Sequence, residues 1–519
     1  MKKVIDLFIV VLVGLSFTGC TELLKDMEEP KSETALNDGT EIMVHKDEGP
    51  SEGGVLNLFM LQPDTLNPLA TQNPTVRHLS FFVFDSLFNE KEDGTLENCL
   101  AESYTFSQAD LVLDIKLRDD VLFHDGEPLT SDDVTFTVKA IKDAGQRSLY
   151  ANNVANIQSI KAVSRLEFRI ILEKSDDRLP YRLTFPIVPQ HVFKDWPAEG
   201  HSDSMNLTGT GPFKFESFED DVIKLIRNDS WWYRDIDEGL GHPVWMYGIN
   251  FRIYLNESDM MDAFQKHEID IGYLEEGNLE VYERRSDIFL EYYESNILEF
   301  LVFSDKDGQS SPISQPDFRN ILIRYLEWYV NLHPAAKGSP VSDSADSGSS
   351  YEILDHDKAL NALNGAGFTY DKDKNILYRN KNGIQSPVSL NLIYNGLNEE
   401  REDIGEWITM ALFEIGITVD CEPVSYSEVQ AIAGEKNFDM MLLGCRMPLS
   451  MNMDETLDLA SKSLGIKDKE ARVLPLYRKY GAVLYHNYIR GTRRPVWENV
   501  YNGWTEWYLL KGPEDGKRD

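Results

Sequence analysis

The sequence predicts an α/β protein of more than one domain, and three stretches carry that prediction. Between Leu111 and Leu117, apolar Leu111, Leu113, Ile115 and Leu117 alternate with Val112, Asp114 and Lys116, the period of two of a strand with one dry face. A turn at His124-Asp125-Gly126 follows. Ser131-Asp132-Asp133 then supplies an N-cap and early acids for a helix whose Val134, Val138 and Ile141 share one face. Far along the chain, Trp407, Ile408, Ala411, Leu412 and Ile415 suit an amphipathic helix that ends at Gly416, and Ile417-Thr418-Val419 opens a β-branched strand directly after it. A helix that runs straight into such a strand is the unit of α/β domains.

The chain opens with Lys2 and Lys3, an apolar run from Leu7 to Phe17, and Thr18-Gly19-Cys20. That order is the charged start, apolar middle and small-residue cleavage site of an export signal, expected over residues 1–19. The run is too short to span a bilayer, which takes about 20 apolar residues. A cysteine directly after the small pair resembles the lipobox of bacterial lipoproteins, in which cleavage precedes the cysteine and its thiol and new amine are acylated. Phe17 departs from the usual Leu of that motif, and an ordinary signal peptide with a coincidental cysteine is the alternative.

Residues 20–52, with Asp26, Glu28, Glu29, Pro30, Glu33, Asp38, Gly49 and Pro50, are acidic and poor in bulky apolar side chains. They are expected to form a lipidated N-terminus and flexible tether. Val55-Leu56-Asn57-Leu58-Phe59-Met60 has the apolar density of a buried strand, and turn chemistry in Gln62-Pro63-Asp64-Thr65-Leu66-Asn67-Pro68 breaks it. Ile223 and Leu225, alternating with Val222, Lys224 and Ile226, mark another strand, and the Ser, Gly, Asp and Pro content of residues 335–350 marks a loop or local linker. No internal repeat is visible.

Beyond the signal about 500 residues remain, more than one core usually holds, so two or three domains are expected. No second long apolar stretch occurs, and nothing else is expected to cross a bilayer. With 87 acidic against 51 basic residues the net charge is -36, which repels nucleic acid and anionic headgroups. The charge serves solubility or favours cationic ligands. With Cys20 assigned to lipid, Cys99, Cys421 and Cys445 remain, an odd set that permits one disulfide at most. Cys421 and Cys445 flank one segment, but spacing leaves their pairing open.

No catalytic or metal constellation emerges. His124-Asp125 offers an acid/base pair, but sequence neighbours rarely face each other as catalytic partners, and Asp125-Gly126 reads as a turn. Gly209-Thr210-Gly211-Pro212 lacks the Gly-Lys-Ser/Thr of a phosphate loop, and GxSxG and HExxH do not occur. His267-Glu268 has no second histidine at metal-ligand spacing and reads as a solvated helix end, and no Cys/His spacing suits zinc. Aromatics make up 11% of the residues, with clusters at Trp231-Trp232-Tyr233 and around Trp504, Trp507 and Tyr508, suited to core packing or a ligand cleft. The census favours binding over catalysis, with no cofactor and no metal expected.

Two longer blocks resemble a family. The run Leu117-Arg118-Asp119-Asp120-Val121-Leu122-Phe123-His124-Asp125-Gly126-Glu127-Pro128-Leu129-Thr130-Ser131-Asp132-Asp133-Val134 is similar to the signature of extracellular solute-binding protein family 5, the oligopeptide-, dipeptide- and nickel-binding receptors of ABC importers. Gly209-Thr210-Gly211-Pro212-Phe213, followed by Arg227-Asn228-Asp229-Ser230-Trp231-Trp232, resembles that family's second conserved block. Weaker echoes include Glu268-Ile269-Asp270-Ile271 and Ala366-Gly367-Phe368, and the matches spread over residues 53 to about 510.

The resemblance implies a type II periplasmic-binding-protein fold, α/β, with two hinged lobes and a third smaller domain. The expected division is a first lobe from 53–75, 206–295 and 487–519, an extra domain over 76–205, and a second lobe over 296–486. It implies lobe closure on a solute, recognised by a membrane permease. In peptide-binding members an Asp after a Gly-Trp pair holds the peptide amine. Here Phe438-Asp439-Met440-Met441-Leu442-Leu443-Gly444 matches the strand, but Cys445 stands at the Trp position and Arg446, Met447 and Pro448 follow. Asp454 is a substitute anchor or a helix-start residue. Candidate cleft residues are therefore Leu61, Gln62 and Asp64 in the first lobe and Cys445, Arg446 and Met447 in the second. The expected protein is a monomer tethered outside the cytoplasm through Cys20, with a peptide-like solute, an ABC permease and the membrane as partners and no nucleic acid. A surface scaffold no longer serving transport, acting as sensor or adhesin, is the alternative.

Overall fold

A computed structural model describes residues 49–91, 94–195, 207–234, 243–275, 279–304, 311–332, 338–340, 353–381, 383–448, 453–465, 472–497 and 499–510. The expected export signal, Cys20 and most of the expected tether lie outside the described residues. So does most of 335–350, of which Gly338–Pro340 is a short strand. No helix among the described residues is long and apolar enough to cross a membrane.

The apolar run after Gly54 forms the strand Val55–Leu61, which pairs in parallel with Gly248–Tyr254; Val222–Arg227 and Phe213–Glu219 complete that sheet in antiparallel order. Leu56, Leu58, Phe59 and Met60 are fully buried, as expected of a strand covered on both faces. A second four-stranded antiparallel sheet runs in the order Ala101–Ser107, Val112–Leu117, Glu167–Leu172, Ile157–Ala162. The alternation read between Leu111 and Leu117 places Leu113, Ile115 and Leu117 in the core and leaves Lys116 exposed.

Helix Ser131–Ala144 packs near this sheet, and its cap differs from the expected one. Thr130 is the N-cap, and the Asp133 carboxylate accepts from both the N–H and the hydroxyl of Thr130 at 2.9 and 2.8 Å. Ser131 instead donates its hydroxyl to the Ser164 carbonyl at 2.6 Å, so side-chain competition moved the cap back by one residue.

Two long antiparallel strands, Ile288–Phe303 and Val473–His486, join the halves of the molecule. Residues 288–294 pair with 480–486 and, through the second strand, with Ile271–Leu274. The register then shifts between Glu294 and Leu298, and residues 298–302 pair with 473–478. On the far side of that shift the first strand also takes Met440–Arg446 as a neighbour, followed by Ser389–Asn395 and Thr418–Val424 in parallel. Tyr293 and Ala482–Tyr485 belong to the core of the first lobe. Leu301, Phe303, Leu474 and Leu476 belong to a second core, and Leu298, Phe300 and Val302 to a third on the opposite face of the same strand. The chain thus returns to the first-lobe core within the second crossing strand, ahead of the 487 start expected for the C-terminal segment. A register shift between separate cores is where a sheet bends most easily.

Helix Glu399–Glu414 buries Ile408, Ala411 and Leu412 and leads through Gly416, at φ +78, into Thr418–Val424. The helix-to-strand unit read from the sequence is present there.

Candidate functional site between the lobes

The register shift in the crossing strands brings opposite charges from the two lobes together. Arg446, the last residue of Met440–Arg446, holds an ion pair with Glu275 of the first lobe, Nη1 to Oε2 at 2.5 Å. Glu275 follows the strand Ile271–Leu274, and its Oε1 accepts from the Tyr273 hydroxyl at 3.1 Å. The Tyr273 ring stacks on Tyr293 with centroids 6.1 Å apart, and Phe59 stacks on it as well at 5.9 Å. Burial raises both tyrosine hydroxyls far above their ordinary pKa, so both stay protonated. Gly481 permits this wall: a Cβ there would sit 2.4 Å from the Tyr293 ring. A second contact joins helix Leu179–Arg182 to helix Met453–Ser463, with Arg182 Nη2 3.7 Å from Glu455 Oε1.

The second-lobe side of this wall stands on a buried charge cluster. Glu299 is 1% exposed and accepts from Arg401 Nε and Nη2 at 3.1 and 3.3 Å, with Lys479 Nζ 3.9 Å away. Burial raises the Glu299 pKa, and Arg401 and then Lys479 pull it back. Glu299 pairs across the sheet with Gly444, where a Cβ would meet the Glu299 and Arg401 side chains at 2.5 and 2.6 Å.

The six residues expected in the cleft fall into different environments. Leu61 is half-buried and its N–H donates to Thr75 Oγ1 at 3.1 Å, while the exposed Gln62 donates its N–H to the Tyr254 carbonyl at 2.8 Å. Asp64 is engaged in its own turn, accepting from Thr65 N–H, Thr71 hydroxyl and Gln72 N–H at 2.9, 2.5 and 3.3 Å. These contacts stay within the first lobe. Cys445 is half-buried, with a thiol that desolvation first and Glu299 second push up to about 11. Met447 is 6% exposed, lies in the third core, and exchanges hydrogen bonds with Asn296 at 2.7 and 3.2 Å. Arg446 alone of the six makes a described ion pair to the opposite lobe. Glu275, Tyr273 and Tyr293 were missed because no local motif marks them; only the pairing of distant strands assembles them. Asp454 lies in the first turn of its helix.

The sequence blocks that looked most like chemistry serve the fold. His124 is half-buried. Its Nε2 lies 2.9 Å from the Gly211 carbonyl, its Nδ1 accepts from Gly209 N–H at 3.2 Å, and its N–H donates to the Gly209 carbonyl at 2.8 Å. Burial lowers the His124 pKa to about 4, so the ring is neutral and Nε2 is the donor. Asp125 pairs instead with His191 at 2.7 Å. Gly209 admits no side chain, since a Cβ would lie 2.0 Å from the Val83 carbonyl oxygen. Beside it, Asp85 Oδ2 accepts from Thr210, Trp232 and Trp231 at 2.9, 2.8 and 3.3 Å. The two sequence blocks are therefore one hydrogen-bonded unit. Cys99, Cys421 and Cys445 are all free thiols, so Cys421 and Cys445 are not joined.

Crossing strands join the two lobes, and a charged and aromatic wall stands at the crossing. The type II periplasmic-binding-protein fold is borne out by solved structures. The substrate binding protein CtaP of an ABC transporter from Listeria monocytogenes superposes with a TM-score of 0.62 at 20% identity, covering 89% of this chain and 100% of that one. Residues 95–325 match the family model described as bacterial extracellular solute-binding proteins, family 5 middle. Over that stretch the chain is similar to bacterial extracellular solute-binding protein family 5. It is 24% identical over 401 residues to the nickel-binding periplasmic protein of Escherichia coli, covering 72% of each chain. It is 23% identical over 421 residues to the oligopeptide-binding protein AppA of Bacillus subtilis, covering 76% of this chain and 74% of that relative.

Proposed function

We propose that this protein is the lipid-anchored, extracytoplasmic binding component of an ABC importer, capturing peptides or peptide-like solutes by lobe closure and presenting them to a membrane permease. The observation that carries the reading is the Arg446–Glu275 pair, an acid and a base contributed by opposite lobes at the hinge. A zwitterionic solute satisfies both: its ammonium takes Glu275 and its carboxylate takes Arg446. The pair that bridges the lobes without solute is then replaced by a solute that bridges them. Glu275 serves in place of the amine-anchoring Asp, and Arg446 suits a carboxylate through its planar fork. Leu61, Gln62 and Cys445 would border the same space, Met447 would pack behind it in the third core, and Asp64 would shape the turn beneath it. Binding energy that favours the closed form is the signal a permease reads, and the role requires no chemistry. Cys20 would hold the receptor at the membrane and raise its effective concentration at the permease.

Native mass spectrometry of the protein purified from its own cells, followed by thermal-shift screening with peptides, amino acids, sugars and nickel chelates, tests this. A bound peptide-like mass and saturable stabilisation are expected. A dense screen with no bound solute and no shift would favour a surface scaffold outside transport.

A further inference from the structure

We propose that His267, Asp287 and His486 form a resident site for one divalent transition-metal ion of the zinc and nickel class, at the end of the first lobe remote from the cleft. One ligand atom from each residue lies within 4.8 Å of the others. His267 follows helix Glu257–Gln265, Asp287 immediately precedes the first crossing strand, and His486 is the last residue of the second. Read along the chain, His267 has no histidine nearby; the fold supplies one from a distant strand.

His486 is the residue that asks for a ligand. It is 0% exposed, and its Nε2 lies 3.1 Å from the Phe264 carbonyl. A carbonyl only accepts, so Nε2 carries the proton and Nδ1 keeps a bare lone pair. That Nδ1 is buried without a hydrogen-bond partner. A histidine whose other ring N–H is held by a backbone carbonyl has the orientation and tautomer that metal-ligating histidines show. Asp287 is oriented in the same manner, by Arg285 Nε at 3.0 Å and by Nη2, and its carboxylate has further lone pairs to offer.

His267 is the exposed member, held at φ +59, with its ring stacked on His486 at a centroid distance of 4.0 Å and 20° between planes. Parallel rings aim their lone pairs side by side, so capture requires the His267 side chain to turn. That motion closes the ligand atoms to the roughly 3.3 Å separation set by metal bonds of about 2.0–2.1 Å. Phe264 stacks on His486 at 4.3 Å and supplies an apolar wall. Two imidazoles and one carboxylate suit zinc, nickel or copper rather than magnesium or calcium, with a position left for water. The site lies six residues along the strand from Glu294, roughly 20 Å from the hinge at about 3.3 Å per residue. It would clamp the outer ends of both crossing strands to the helix, without touching the solute.

Chelator-stripped full chain, titrated calorimetrically with Zn²⁺, Ni²⁺ and Mg²⁺ and followed with Co²⁺ by visible absorption, tests the site. Expected are one Zn²⁺ or Ni²⁺ per chain, a raised Tm, a Co²⁺ ligand-field band and no response to Mg²⁺. His267→Ala and Asp287→Asn should each weaken binding at least about tenfold and abolish the band. Because His486 is buried, its own replacement risks unfolding, and the exposed His267 carries the test. A parent that fails to bind, or a folded His267→Ala variant that binds as tightly as the parent, overturns the proposal.

Discussion

Arg446 and Glu275 lie on opposite lobes and form an ion pair at 2.5 Å, beside the register shift that breaks the crossing strands between Glu294 and Leu298. The Arg446 side chain is 57% exposed, so the pair lies in a high-dielectric setting and contributes about 1 kcal/mol or less to stability. Its consequence is conformational. Arg446→Ala and Glu275→Gln should leave Tm almost unchanged while opening the solute-free protein, read as a larger radius of gyration in X-ray scattering. Arg446→Ala should also weaken binding of solutes with a free carboxylate by roughly 2 kcal/mol, and equal affinity would remove Arg446 from the site.

The buried cluster behind that pair predicts the opposite pattern. Arg401→Met leaves Glu299 with only Lys479 at 3.9 Å and should cost about 3–5 kcal/mol in denaturant unfolding. Adding Glu299→Gln to Arg401→Met should recover part of the loss, because the uncompensated charge is gone. Equal destabilisation of the single and double variants would show that the cluster acts by packing alone.

His124 and His78 are held neutral by burial, with pKa values lowered to about 4 and about 3. The unfolded chain protonates both near 6.5, so between pH 6.5 and 4 it binds about two more protons through them than the folded chain does. Their contribution is full above pH 6.5 and is lost as pH falls toward 4. Burial raises the carboxyl pKa values of Asp85, Asp270 and Glu299, which act in the opposite sense, so the informative quantity is a difference between variants. His124→Gln should be destabilised by about 2 kcal/mol at pH 7 and should lose about one proton's worth of pH dependence below 6.5. An unchanged slope would contradict a neutral His124.

Gly481 faces Tyr293, where a Cβ would lie 2.4 Å from the ring. Gly481→Ala should cost about 1–3 kcal/mol through overpacking, and Tyr293→Leu in the same chain should relieve part of it. Additive losses in a double-mutant cycle would separate the two positions.

Much of this architecture is legible in the sequence. Leu113, Ile115 and Leu117 alternate, and Ile408, Ala411 and Leu412 repeat at helical spacing, because each set packs one face of a local element. The Thr130 cap was misplaced by one residue because neighbouring hydroxyls compete for the same helix end, and Ser131 found the Ser164 carbonyl. The site was far less legible. Leu61 ends, and Gln62 and Asp64 follow, a strand whose place could be read, yet Asp64 closes its own turn. Glu275 and Tyr293 carry no local signature, and neither does His486 beside His267. Their juxtaposition depends on strand pairings between segments far apart in sequence, which no spacing rule encodes.

The central claim is that the two lobes close on a peptide-like solute about the Ile288–Phe303 and Val473–His486 strands. Small-angle X-ray scattering of the full chain, titrated with a defined pool of short peptides carrying free termini, tests it most directly. A saturable change in radius of gyration with an isosbestic set of scattering curves is expected, lost in Arg446→Ala. A radius of gyration unchanged across the titration, with peptide bound by mass spectrometry, would contradict lobe closure.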